Sequence, residues 1–87
     1  MSYEVRLRRA ARKELDSLSQ KDYRAVARAI DSLESNPRPH RVKKLADSSL
    51  WRIRLGRYRI VYAIDDTNKL VIIVRVARRR EDTCKGI

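Results

Sequence analysis

The stretch Leu50-Trp51-Arg52-Ile53-Arg54-Leu55-Gly56-Arg57-Tyr58-Arg59-Ile60-Val61-Tyr62 alternates apolar and cationic side chains, with four arginines and no acid. Alternation with a period of two, broken once by a glycine, predicts a β-hairpin. Successive strand side chains point to opposite faces, so Trp51, Ile53 and Leu55 share one face while Arg52 and Arg54 share the other. Beyond Gly56 the apolar row resumes as Tyr58, Ile60, Tyr62 and Ile64, with Arg59, Val61 and Ala63 on the reverse. One face is a core and the other is cationic. Arg57 falls at the turn, at the periphery of that face.

Outward from the hairpin, charge is distributed unevenly. The 87 residues carry 22 Lys and Arg against 11 Asp and Glu, a net charge of +11. Residues 1–36 hold 8 bases and 6 acids, whereas residues 37–87 hold 14 bases and 5 acids, so +9 of the +11 lies in the second part. A solvated helix face mixes signs, as the first part does; an excess of one sign on strands points to a surface for a polyanionic or acidic partner. At this length one domain with one core is expected, covering residues 1–87. The lone cysteine, Cys84, can form neither an internal disulfide nor a cysteine-based zinc site. With no run of about 20 apolar residues and no signal-peptide core, a cytoplasmic protein without a membrane partner is expected.

The chain before the hairpin reads as a strand and two helices. Tyr3, Val5 and Leu7 alternate with Glu4 and Arg6, giving a short strand within residues 2–7. From about Arg9, the residues Ala11, Leu15 and Leu18 recur at helical spacing. Ser19 then offers a cap to a second helix with Asp22 in its positive first turn. Tyr23, Val26, Ala27, Ile30 and Leu33 make one apolar stripe, and Asn36-Pro37-Arg38-Pro39 stops the helix. Residues 40–45, His40-Arg41-Val42-Lys43-Lys44-Leu45, read as a basic connector. His40, in a loop without an orienting partner nearby, reads as a connector residue rather than a general base.

After the hairpin, Asp65-Asp66-Thr67-Asn68 is a turn, and Lys69 to Ala77 is a β-branched strand. Taking Leu70, Ile72, Val74 and Val76 as its helix-facing parity puts Arg75 and Arg79 on the face of Arg52, Arg54 and Arg59. The apolar Val71 and Ile73 on that same parity mark the strand as central and covered on both sides. The order is β-α-α-β-β-β. An α+β fold is expected, with a two-helix hairpin packed on one face of a roughly four-stranded, mainly antiparallel sheet whose free face is cationic.

No glycine loop for a phosphate cofactor, zinc spacing or serine nucleophile elbow is present, so neither a cofactor nor a metal is expected. Converging arginines suit phosphates, because each guanidinium is permanently charged and offers a planar fork of donors. Preorganised cations can also stabilise charge that develops as a phosphodiester is attacked.

Taken together, a basic strand of the form aromatic-Arg-Ile-Arg-Leu, then Gly and Tyr-Arg-Ile-Val-Tyr, then a long apolar strand ending in arginines, resembles the RelE/ParE toxin superfamily and specifically its RelE-like ribonucleases. The resemblance covers essentially the whole chain. It implies a toxin of a type II toxin-antitoxin pair that enters the ribosomal A site and cuts mRNA there. In such enzymes the 2′-hydroxyl attacks the adjacent phosphate without a metal ion. By position, the family's catalytic basic residues fall on Arg52, Arg54, Arg59 and Arg79. Arg59 and Arg79 are assigned to phosphate and transition-state charge, Arg52 and Arg54 to positioning and proton transfer. Lys43, Lys44, Arg57, Arg75, Arg78 and Arg80 complete the expected RNA-binding set. The implied partners are a cognate antitoxin, the ribosome and mRNA, with a monomer expected when the antitoxin is absent.

Two departures from the family pattern stand out. Where relatives have lysines in the basic strand this chain has Arg52 and Arg54, and where they have a tyrosine near the C-terminus it has Cys84. Arginine, with a pKa above about 12, is a very poor proton acceptor. The general base is therefore unassigned. Two other functions are compatible with the same residues: a ParE-like inhibitor of DNA gyrase, and a non-catalytic nucleic-acid-binding module whose arginines only neutralise phosphates.

Overall fold

A computed structural model describes residues 2–39, 42–45 and 48–78. The elements in chain order are β1 (Glu4–Leu7), α1 (Arg9–Asp16), α2 (Gln20–Ser32), β2 (Lys43–Lys44), β3 (Leu50–Leu55), β4 (Tyr58–Asp65) and β5 (Leu70–Arg78). The sheet has five strands in the order β1-β5-β4-β3-β2. β1 runs parallel to β5 and the other pairs are antiparallel. The fifth strand, β2, is two residues of the basic connector: its register places Lys43 opposite Arg52 and Lys44 opposite Trp51. So short an edge strand has no alternation of its own to betray it.

Both helices cover one face of the sheet. Ala11 and Leu15 of α1, Val26 and Ile30 of α2, and Leu33 just beyond it are buried against Ile53, Tyr58, Ile60, Tyr62, Val71, Ile73 and Val76 of the sheet. Ser19 caps α2 as its sequence predicts, its Oγ accepting the Asp22 N–H at 3.3 Å. The proline loop that follows α2 is tied down from the core, where the Tyr62 hydroxyl donates to the Pro37 carbonyl at 2.8 Å.

The hairpin between β3 and β4 turns on two residues, Gly56 and Arg57, with Leu55 and Tyr58 as the closing pair. Gly56 has φ +59°, which a type II′ turn demands at its first central position and which glycine adopts without strain. The next turn is built by Asp65, whose carboxylate accepts the backbone N–H and the side-chain amide of Asn68 at 3.1 and 2.8 Å.

Strand β5 departs from the simple alternation expected of it. Val71 and Ile73, not Leu70 and Ile72, face the helices in its first half. The register then shifts, because Tyr62 pairs with Ile73 while Val61 pairs with Arg75, leaving Val74 as one extra residue. A β-bulge of this kind inverts the alternation. After it Val76 is the buried residue, opposite Ile60, and Ala77 lies opposite Arg59 on the free face. A β-branched run with valine or isoleucine at both parities gives no sign of such a shift.

Candidate functional site

The face of the sheet away from the helices is assembled by register. Arg52 pairs with Val61 and Arg54 with Arg59, and on the outer side Lys43 pairs with Arg52. Directly paired residues point to the same face, so Lys43, Arg52, Arg54 and Arg59 make one cationic surface over three strands. Because a two-residue turn closes on a hydrogen-bonded pair, Arg54 and Arg59 fall one step on, in the non-bonded kind of pair that brings side chains closer.

Arg59 lies innermost. On its β5 side the neighbour is Ala77, whose methyl cannot cover it. Its Nε is buried and has no hydrogen-bond partner among the described residues. A buried donor left unpaired costs free energy, and an anion on this face would remove that cost. The surface spans three strands. Such a shape suits a polymer laid across it better than an enclosed small molecule.

The other cations divide among different surroundings. Arg57 is exposed at the hairpin tip. Lys44 turns to the helix side, its ammonium 5.9 Å from the Trp51 ring centroid. Arg75, expected on the free face, is instead forked onto Glu14 of α1, with Nη2 donating at 2.7 Å and Nε at 3.0 Å to Oε2. Arg78 pairs with Tyr58 on the helix side of the ladder, where it lines a groove of about 410 Å³ together with Glu14, Ser19, Asp22 and Tyr58. Arg79, Arg80, Cys84 and His40 lie outside the described residues.

Three side-chain connections escaped the sequence reading, because each joins elements far apart in the chain. Partial burial pushes the Glu14 carboxyl up, but the Arg75 hydrogen bonds, the Val76 N–H and the Arg75 charge outweigh it and hold the group below the usual carboxylate range. The Tyr58 hydroxyl donates to Asp22 at 2.6 Å, and that bond, followed by burial, raises its pKa. Asp66 accepts from Tyr3 at 2.6 Å and from both Arg38 Nη atoms at 3.2 and 2.8 Å. These bonds, that of Arg38 first, lower Asp66 to about 2. Arg38 also lies 5.1 Å from the Trp51 ring centroid, so with the Tyr62 bond to Pro37 the proline loop is fastened at three points.

Chemically, the free face offers donors and positive charge. It can hold phosphodiester oxygens and stabilise negative charge growing on them. Lysine and arginine side chains present donors and no acceptor. Among the described residues no three His, Cys, Asp or Glu side chains converge as metal ligands, and no helix is long and apolar enough to cross a membrane.

A small α+β architecture with a cationic sheet face is what this geometry defines, and comparison with known proteins gives its family. The sequence profile of the ParE toxin of type II toxin-antitoxin systems matches residues 5–83, and the chain belongs to this RelE/ParE toxin family. It is 26% identical over 83 residues to the protein named RelE1 of Methanocaldococcus jannaschii, covering 91% of this chain and 92% of that one. Among solved structures, the archaeal RelE-RelB complex of Pyrococcus horikoshii superposes with a TM-score of 0.82 at 32% identity, over 93% of this chain and 99% of that one. The toxin-antitoxin complex RelBE2 of Mycobacterium tuberculosis gives 0.81 at 32% identity, over 91% and 100%. This chain is thus a toxin of a type II toxin-antitoxin pair.

Proposed function

We propose that the protein is an mRNA endonuclease that acts in the ribosomal A site and so blocks translation. The observation that carries this reading is the convergence of Arg52, Arg54 and Arg59 on one sheet face, with the Nε of Arg59 buried and unpaired among the described residues. The 2′-hydroxyl of one nucleotide attacks the adjacent phosphorus; a new O2′–P bond forms, the P–O5′ bond breaks, and the hydroxyl's proton ends on the departing 5′ oxygen. Arg59, with Arg79, neutralises the charge gathered on the non-bridging oxygens. Arg52, Arg54 and Lys43 hold the flanking backbone so that the hydroxyl lies in line with the leaving oxygen. The reaction needs no metal ion. With no proton acceptor among the described cations, alignment and charge stabilisation supply most of the rate, and the ribosome holds the message in place. The cognate antitoxin covers the cationic face or the helices when the toxin is silent.

The test is cleavage of ribosome-bound mRNA with the cut sites mapped by primer extension. Undiminished cutting by an Arg59→Ala, Arg79→Ala double variant would discard the site. The matching profile is that of ParE toxins, which favours a second reading, inhibition of DNA gyrase. Loss of supercoiling activity with ribosome-bound mRNA left intact would select it.

A further inference from the structure

Strand β5 changes its surroundings halfway along. Leu70 to Ile73 is held on one side by β1 and on the other by β4, but from Val74 onward only β4 remains among the described residues. The amide of Val76 points away from β4, and no strand among the described residues receives it. Glu14 Oε1 accepts that amide at 2.8 Å. A carboxylate from α1 therefore stands where the carbonyl of another strand would otherwise stand, and its other oxygen takes the Arg75 guanidinium at 2.7 Å.

The place of this cap matters more than its existence. It falls two residues beyond the bulged Val74 and immediately before Ala77, the residue opposite Arg59. Beyond the bulge the strand is laddered on one side among the described residues, and a slip of one residue there would exchange its two faces. Such a slip would return Val76 to the free face and set a larger side chain against Arg59. Val76 is held from below by the core and along its edge by Glu14, so Ala77 stays opposite Arg59.

We propose that Glu14 is a positioning residue for Arg59, acting through Val76 and Ala77: its carboxylate fixes the register of β5 beyond the bulge and thereby the place of the Arg59 guanidinium. Only the activity arm of the test rests on the ribonuclease reading. The Arg75 ion pair is a secondary part of the device, because Arg75 orients Glu14 but the Val76 amide is what the carboxylate restrains.

The experiment compares Glu14→Ala, Glu14→Gln and Arg75→Ala by NMR and by single-turnover cleavage of ribosome-bound mRNA. Glutamine keeps an oxygen for the Val76 amide, so Glu14→Gln should retain the wild-type Arg59 Nε–Hε resonance and most of the cleavage rate. Glu14→Ala should move that resonance, speed exchange of the Val76 amide about tenfold or more, and slow cleavage about tenfold or more. Arg75→Ala should likewise leave the Arg59 Nε–Hε resonance and the exchange of the Val76 amide near wild type. The proposal is overturned if Glu14→Ala leaves the Arg59 resonance where it was, or if Arg75→Ala disturbs it as strongly. Should the wild-type protein cleave nothing, the ribonuclease reading fails alone, and the Arg59 resonance and Val76 exchange still decide the role of Glu14.

Discussion

Arg54 and Arg59 stand directly opposite one another across the β3–β4 ladder. Like charges so placed repel, by roughly 0.2–1 kcal/mol relative to a neutral pair. The cost is tolerated at the centre of the cationic face, where a phosphate would relieve it. Arg59→Ala should therefore lower cleavage by about 10²–10³, the usual effect of losing one charge-stabilising donor, while stability stays level or rises by up to about 1 kcal/mol. Thermal melts beside cleavage assays would check this. A variant that lost both stability and activity would show Arg59 to be structural instead.

The same face predicts a salt response. If Lys43, Arg52 and Arg59 each neutralise one phosphate of a single strand, log Kd should rise with log salt with a slope near 2, from about 0.7 for each of the three contacts. Replacing any one of them by alanine should reduce the slope by about 0.7. Arg75→Ala should barely change it, because that guanidinium is taken by Glu14. Titrations of a 2′-O-methylated oligonucleotide at several salt concentrations measure these slopes without cleavage.

Tyr62→Phe removes the donor that meets the buried Pro37 carbonyl at 2.8 Å. An acceptor left unpaired in the core costs about 1–3 kcal/mol. In a chain of this size each kcal/mol lowers Tm by about 4–8 °C. Activity per folded molecule should hold near wild type, since Tyr62 faces the helices. Unchanged Tm would mean that the proline loop is not fastened through this bond.

Asp66 sets a pH dependence of stability. Its folded carboxyl titrates at about 2, below the unfolded value of about 3.9. Its contribution is thus complete above pH 4 and is lost as the pH falls from there toward 2. Glu14 and Asp65 are lowered as well and act in the same direction. The Tm of Asp66→Asn should accordingly fall less steeply than wild type below pH 4. Parallel curves for the two proteins would contradict the assignment.

Much of the site was legible because strands with a period of two declare their faces. Trp51 to Tyr62 placed Arg52, Arg54 and Arg59 together from spacing alone, and the ladder agrees. Ser19 and Asp22 likewise announced the start of α2. The reading failed where the physics is not local. β5 is apolar at both parities, so only the pairing of Val61 with Arg75 and of Tyr62 with Ile73 reveals the bulge and puts Val71 and Ile73 inward. Glu14 resembled any exposed acid of a mixed-charge helix. Its partners lie 61 and 62 positions away, and no local pattern marks such a contact.

The parallel pairing of β1 with β5 joins Glu4 to Leu70 and Leu7 to Ile73. β1 thus closes against β5, and β2, β3 and β4, which bear Lys43, Arg52, Arg54 and Arg59, are built between them. Until β5 has emerged from the ribosome the sheet is unfinished, and a nascent chain lacks the strand that pairs with both β1 and β4. Loops that long also place the fold among slower topologies. Chains truncated before Leu70 should show no cooperative melting, which would make the timing of toxicity a property of strand order.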